Sequence, residues 1–191
     1  VSEIFWQRGY LLVEDLVRPE QLTLMARAMD LSHEVGQLVD QSASSATEAL
    51  GAYSPVLGDM LLRHCRAPIG TIIGQDLVES YSYWRLYLQG SALRPHKDRE
   101  ACEISATITI ETAPGADAWP ITLVDLEGET ANIVIPPGAG LLFRGNLMQH
   151  WRDPLTAPWH KQIFLHYVRK DGPYADHAFD RRAAETSARK T

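Results

Sequence analysis

The sequence predicts an α+β fold, with helices in the first 75 or so residues and an antiparallel β-core after them. Three observations carry this. Apolar residues recur at helical spacing early in the chain, with Leu22, Met25, Ala26 and Met29 on one face. Residues 102–111 then alternate strictly, with Cys102, Ile104, Ala106, Ile108 and Ile110 on one face and Glu103, Ser105, Thr107, Thr109 and Glu111 on the other. Finally, short strand candidates follow one another with turn signals between them, the pattern of a β-sandwich or barrel with helices packed on one sheet.

The elements follow in order. Residues 9–13 are a short strand candidate. Pro19 opens a helix, as suits a residue with no N–H to satisfy in the first turn. Residues 41–51 are small, polar and rich in Ser and Ala, and predict a flexible loop. Ser54-Pro55 begins a helix expected to run to about Cys65, with a second short helix near 69–73. Residues 81–87 are aromatic-rich and strand-like. Strands are expected at 121–125, 130–135, 141–143 and 161–170, with turns at Glu127-Gly128 and Pro136-Pro137-Gly138. The 191 residues predict one domain: helical support over 1–80, a β-core over 81–170 and a solvated tail over 171–191.

Composition narrows the function. A net charge of −6 argues against a broad nucleic-acid-binding surface. No apolar run approaches the ~18–20 residues of a membrane span, so no membrane partner is expected. Cys65 and Cys102 are the only cysteines and are expected to be buried and unbridged. With no charged-then-apolar leader at the start, the expected location is cytoplasmic. No phosphate loop, zinc cysteine cluster or serine triad is present.

The chemistry centres on His96-Lys97-Asp98. A histidine and a carboxylate two apart on extended backbone point to the same side. With a second histidine from another strand they can occupy one face of an octahedron, the facial triad of non-haem Fe(II) oxygenases. Chance alone supplies about 0.4 such pairs in a chain with this many His and Asp, so context decides. His150 supplies it, 54 residues after His96 and past four expected strands, a gap that returns the chain to the same end of a small barrel.

Lys161 opens the last strand, on one face with Ile163, Leu165 and Tyr167. If that face looks into the barrel, the lysine begins an otherwise apolar inward row. A buried ammonium must be paired, either with an internal Asp or Glu or with the distal carboxylate of a bound acid. Gln162, Phe164 and His166 would then face outward, as would His160. Arg85, Arg94, Arg99, Arg144 and Arg152 surround the motif and read mainly as surface or structural ion-pair residues. Trp151, beside His150, is the aromatic candidate for the pocket mouth.

In this order the motifs resemble the iron(II)/2-oxoglutarate-dependent dioxygenases, particularly the prolyl-hydroxylase-like branch. They are Arg8-Gly9-Tyr10, Arg85-Leu86-Tyr87 before Gly90, Pro95-His96-Lys97-Asp98-Arg99, Thr107-Ile108-Thr109-Ile110, Pro136-Pro137-Gly138, Leu142-Phe143-Arg144-Gly145, His150, and Lys161 with Tyr167. The resemblance implies a double-stranded β-helix (jelly roll) flanked by helices. It implies that His96, Asp98 and His150 hold Fe(II). It gives Lys161 the C5 carboxylate of 2-oxoglutarate, with Tyr87 donating to the same group. Thr107 and Thr109 stand where several relatives place a tyrosine toward the co-substrate. The implied reaction consumes 2-oxoglutarate and O2, releases succinate and CO2, and hydroxylates an aliphatic C–H of an amino-acid, peptidyl or other small-molecule substrate. Asp98 occupies the position where halogenating relatives carry a small residue, which favours hydroxylation. Two alternatives are a non-catalytic jelly-roll module that binds metal or ligand, and a cupin-type metalloenzyme that uses no oxoacid.

Overall fold

The computed structural model describes residues 1–40 and 46–182. In chain order the elements are α1 (Ser2–Arg8), β1 (Tyr10–Val13), α2 (Pro19–Glu34), β2 (Val39–Asp40), β3 (Ala49–Tyr53) and α3 (Val56–Ile73). There follow β4 (Leu77–Leu88), β5 (Leu93–His96), a 3₁₀ turn at Glu100–Cys102, β6 (Ile104–Thr112), β7 (Ile121–Val124) and β8 (Thr130–Ile133). The chain continues through β9 (Gly140–Phe143), β10 (His150–Arg152), β11 (Trp159–Arg169) and a short 3₁₀ segment, Ala175–Arg181.

The strands form two antiparallel sheets. The larger has the order β1-β9-β6-β11-β4-β3-β2 and the smaller β5-β10-β7-β8. This is the double-stranded β-helix, with α2 and α3 covering the outer face of the larger sheet. The alternation of β6 shows why. Ile104, Ala106 and Ile108 pack into one apolar cluster with Met25 and Met29 of α2 and Leu61, Leu62 and Ile69 of α3. The opposite face, with Ser105 and Thr107, looks toward the smaller sheet.

Three local expectations are corrected. Residues 56–73 are one helix, with Pro68 inside it. Burial of Leu61, Leu62, Cys65, Ile69 and Ile73 along one face sustains the helix past the proline's missing donor. Residues 49–53, expected in a loop, are β3, which pairs with β4 from Ala49↔Tyr87 to Tyr53↔Tyr83. Cys102 lies in the 3₁₀ turn, so the alternating strand begins at Ile104. Residues 41–45 of the expected loop, and 183–191 of the expected tail, lie outside the described residues. Both cysteines are free and buried. Among the described residues, no helix is long and apolar enough to cross a membrane.

Candidate metal centre

Local backbone geometry brings the three candidate ligands together. His150 of β10 pairs directly with His96 of β5 across the smaller sheet, and their ring centroids lie 4.3 Å apart. Asp98 follows two residues after His96, just past the end of β5. Its N–H donates to the Gly145 carbonyl at 2.9 Å. Gly145 must be glycine here, because a Cβ would collide with Asp98 Oδ2 and lie 2.6 Å from Ser105 Oγ. Asp98 Oδ1 is 3.5 Å from His96 Nε2 and 3.7 Å from His150 Nε2.

The histidines are oriented for ligation. His96 Nδ1 meets the Arg94 carbonyl at 2.8 Å and His150 Nδ1 meets the Met148 carbonyl at 3.0 Å. Each Nδ1 therefore carries a proton, and Nε2, the atom a metal would take, faces Asp98. The donor atoms of His96, Asp98 and His150 lie within 4.8 Å of one another. Two imidazoles and one carboxylate suit a divalent iron or a similar ion.

The charges agree with this. Burial pushes the Asp98 carboxyl up, but the His96 hydrogen bond and the nearby His150 and His166 outweigh it and hold the group at about 2. Burial pushes His96 down, and its bonds to Asp98 and the Arg94 carbonyl reverse the sign, so its net shift is upward. Burial lowers His150, keeping it neutral. A second group, Asp98 with Cys102 and His166, has similar spacing. It is the poorer centre. Burial pushes the Cys102 thiol up, and its Sγ lies 3.1 Å from the Tyr81 hydroxyl, which favours the neutral thiol over the thiolate a metal binds.

The triad lies in the wall of a cavity of about 470 Å³ between the two sheets. Its lining includes Thr107, Arg85, Arg152, Phe164 and His166 as well as the triad. This corrects the expectation for β11. The two faces of that strand group as expected, but the inward one carries Gln162, Phe164 and His166. Ile163, Leu165 and Tyr167 join the apolar cluster under the helices, where the Tyr167 hydroxyl donates to the Leu62 carbonyl at 2.7 Å. The apolar row faces the helices because that side is closed by the apolar faces of α2 and α3.

Lys161 shares the helix-facing parity. Its Nζ is 2.6 Å from Asp30 Oδ1 on α2 and 2.7 Å from Glu111 Oε2 on β6. The ammonium is thus paired with acids of this chain and lies away from the cavity, where the resemblance had placed it. Tyr87 is fully buried, and its hydroxyl accepts from Arg85 Nη1 at 3.3 Å, behind the cavity wall. Thr107 lines the cavity and accepts from the Gln162 amide. Thr109, on the same strand face, is buried with its hydroxyl unpartnered. Trp151 alternates away from His150 and is not in the lining. The aromatic lining is instead Tyr53, Tyr81, Tyr83, Phe143 and Phe164, and Trp119 lies behind it, 4.4 Å from the Arg152 guanidinium.

Arg85 and Arg152 were not expected inside. Arg152 is 3% exposed and donates to the Trp119 carbonyl and, at 3.1 Å, to Gln162 Oε1. Burial pushes its guanidinium down to about 10, still cationic at neutral pH. Neither arginine has a carboxylate partner among the described residues. The signal was parity: Arg152 is two residues from His150 on one strand and therefore faces the same side.

His160, expected outside, is buried beside this cluster, and its Nε2 lies 3.0 Å from Gln162 Oε1. Burial, with Arg152 nearby, pushes it down to about 3. In the unfolded chain it titrates near ~6.5, so below that pH the unfolded state binds the extra proton and acid destabilises the fold. We expect His160→Gln to remove a loss of about 1.4 kcal/mol per pH unit that the native chain shows between about pH 6 and 4. Urea midpoints measured across that range for both proteins check it; parallel curves would contradict it.

No family model matches this sequence, and no curated protein matches it. Solved structures match its fold. A Pseudomonas putida prolyl-4-hydroxylase superposes with a TM-score of 0.70 at 14% identity, over 88% of this chain and 97% of that one. The carbocyclase SnoK of nogalamycin biosynthesis, a non-haem α-ketoglutarate-dependent enzyme, gives 0.72 at 12% identity, over 98% and 88%. A Trichoplax adhaerens prolyl hydroxylase, solved with a hypoxia-inducible-factor peptide, gives 0.68 at 13%, over 89% and 88%. The jelly-roll fold of this chain is the one those oxygenases use.

Proposed function

We propose that this chain, which has the fold of the iron(II)/2-oxoglutarate oxygenases, is one catalytic domain that oxidises an aliphatic C–H bond, most simply by hydroxylation. The observation that carries this is the convergence of His96, Asp98 and His150, with both Nε2 atoms aimed at one carboxylate, on the wall of a closed-sided cavity. These residues would hold Fe(II). Bound there, the metal with 2-oxoglutarate and O2 supplies the oxidising chemistry, releasing succinate and CO2.

The protein's part follows from its own groups. The Arg94 and Met148 carbonyls fix the imidazole tautomers. Ser105 Oγ lies 2.9 Å from His166 Nδ1 and donates to Asp98 Oδ2 at 3.4 Å, steadying the carboxylate. Arg152 takes the place resemblance gave to Lys161. It lies two residues along β10 from His150 and lines the same cavity, so it would meet the distal carboxylate of a diacid held at the metal. Gln162 Oε1 accepts from the guanidinium, and Thr107 in turn accepts from the Gln162 amide and fixes it. Substrates of small-molecule or peptidyl size fit the cavity mouth, and the two unbridged thiols support a reducing, cytoplasmic location.

The test is turnover. Purified protein with Fe(II), 2-oxoglutarate and O2 should form succinate, slowly and uncoupled, without any added substrate. A metal-binding module or a cupin without an oxoacid would form none.

A further inference from the structure

Four cations line the cavity: Lys97 and Arg99 are exposed, Arg99 being paired with Asp180, and of the two buried ones, Arg85 and Arg152, that chemistry uses one. Fe(II) with the Asp98 carboxylate leaves one positive charge, and Arg152 adds a second. Together they balance 2-oxoglutarate, a dianion. Arg85 remains, 9% exposed in the cavity wall, and its Nε is buried with no hydrogen-bond partner. Among the described residues its one hydrogen bond is the long one from Nη1 to Tyr87, at 3.3 Å. A buried guanidinium is costly unless an anion meets it.

Arg85 is on β4, between β3 and β11, where it stands opposite Gln162 in register, but its guanidinium meets a different set of side chains from that of Arg152. The Arg85 guanidinium carbon lies 5.2 Å from the Tyr83 ring centroid, 5.5 Å from that of Tyr87 and 5.6 Å from that of Phe164. Tyr53 and Tyr81 continue this aromatic wall. Arg152, by contrast, is held on β10 by Trp119 and Gln162. An aromatic-walled cation with free donors recognises an acid carried on an apolar or planar body.

Resting on the oxygenase function above, we propose that Arg85 is the substrate-recognition residue and that the substrate is a carboxylic acid, its carboxylate seated on Arg85 and its apolar body along Tyr83 and Phe164. This places the C–H to be oxidised between two fixed points, the metal and Arg85.

The experiment uses the anaerobic Fe(II)–2-oxoglutarate complex of the full chain. Phenylacetate and hexanoate are each compared with their primary amides, with dissociation constants read by saturation-transfer NMR. At least one acid should bind more than about tenfold tighter than its amide. Arg85→Met should abolish that preference and Arg85→Lys retain part of it, with 2-oxoglutarate affinity within about threefold in both. The proposal is overturned if neither acid outbinds its amide, or if the preference survives Arg85→Met. It is also overturned if Arg85→Met weakens 2-oxoglutarate by about 100-fold, which would make Arg85 the co-substrate anchor. An acid preference in a protein that binds no 2-oxoglutarate would uphold Arg85 and reject the oxygenase function.

Discussion

His150→Ala should fold and fail to hold metal. It removes one of three protein donors, and since losing a mere supporting contact to a ligand costs 10–100-fold, losing the ligand itself should weaken Fe(II) by more than about 100-fold. Succinate formation should disappear with it. The fold should survive, because the imidazole's other contact is a single hydrogen bond to Met148, worth about 1 kcal/mol. Metal content after dialysis, read beside a melting curve, checks this. A folded variant that keeps its iron would remove His150 from the centre and return attention to His166.

The second large effect separates two cations. Arg152→Met should raise the 2-oxoglutarate dissociation constant by two decades or more, because it leaves a desolvated carboxylate without its partner, a loss of about 3–5 kcal/mol. The same substitution should not lower the melting temperature of the protein without co-substrate, since it removes a buried charge that has no counter-ion there. Lys161→Met should do the reverse. Its two acidic partners are partly exposed, with side chains 41% and 47% accessible, so the pairing is worth about 1 kcal/mol of stability. Co-substrate affinity should stay unchanged. Calorimetric titration of 2-oxoglutarate into both variants decides it; a loss of affinity on Lys161→Met with none on Arg152→Met would reverse the assignment.

The contrast between Lys161 and Arg152 shows what the sequence carries. Alternation assigns residues to faces, and it did so correctly on β6 and β11. It does not say which face meets the helices. An apolar inward row was the natural expectation for β11, yet its inward face carries Gln162 and His166, and the apolar row serves the helix layer. His96, Asp98 and His150 were legible because their spacing is local at one end and bounded by turns at the other. Arg85 was hidden because a cation among Tyr83, Leu86 and Tyr87 looks like a solvated edge until strand parity and both neighbouring strands are known. β3 was missed because Ala-Leu-Gly-Ala-Tyr has little strand propensity. Its place comes from pairing with β4, and Gly51 is accommodated there against the Tyr83 ring.

The central claim is that one centre binds Fe(II) and 2-oxoglutarate together. Anaerobic addition of 2-oxoglutarate to the Fe(II)-loaded protein tests it most directly. A metal-to-ligand charge-transfer absorption band should grow to saturation at one equivalent, and 2-oxobutyrate, which lacks the distal carboxylate that Arg152 would meet, should need a far higher concentration to produce it. Iron bound at one equivalent with no such band at any 2-oxoglutarate concentration would contradict the account.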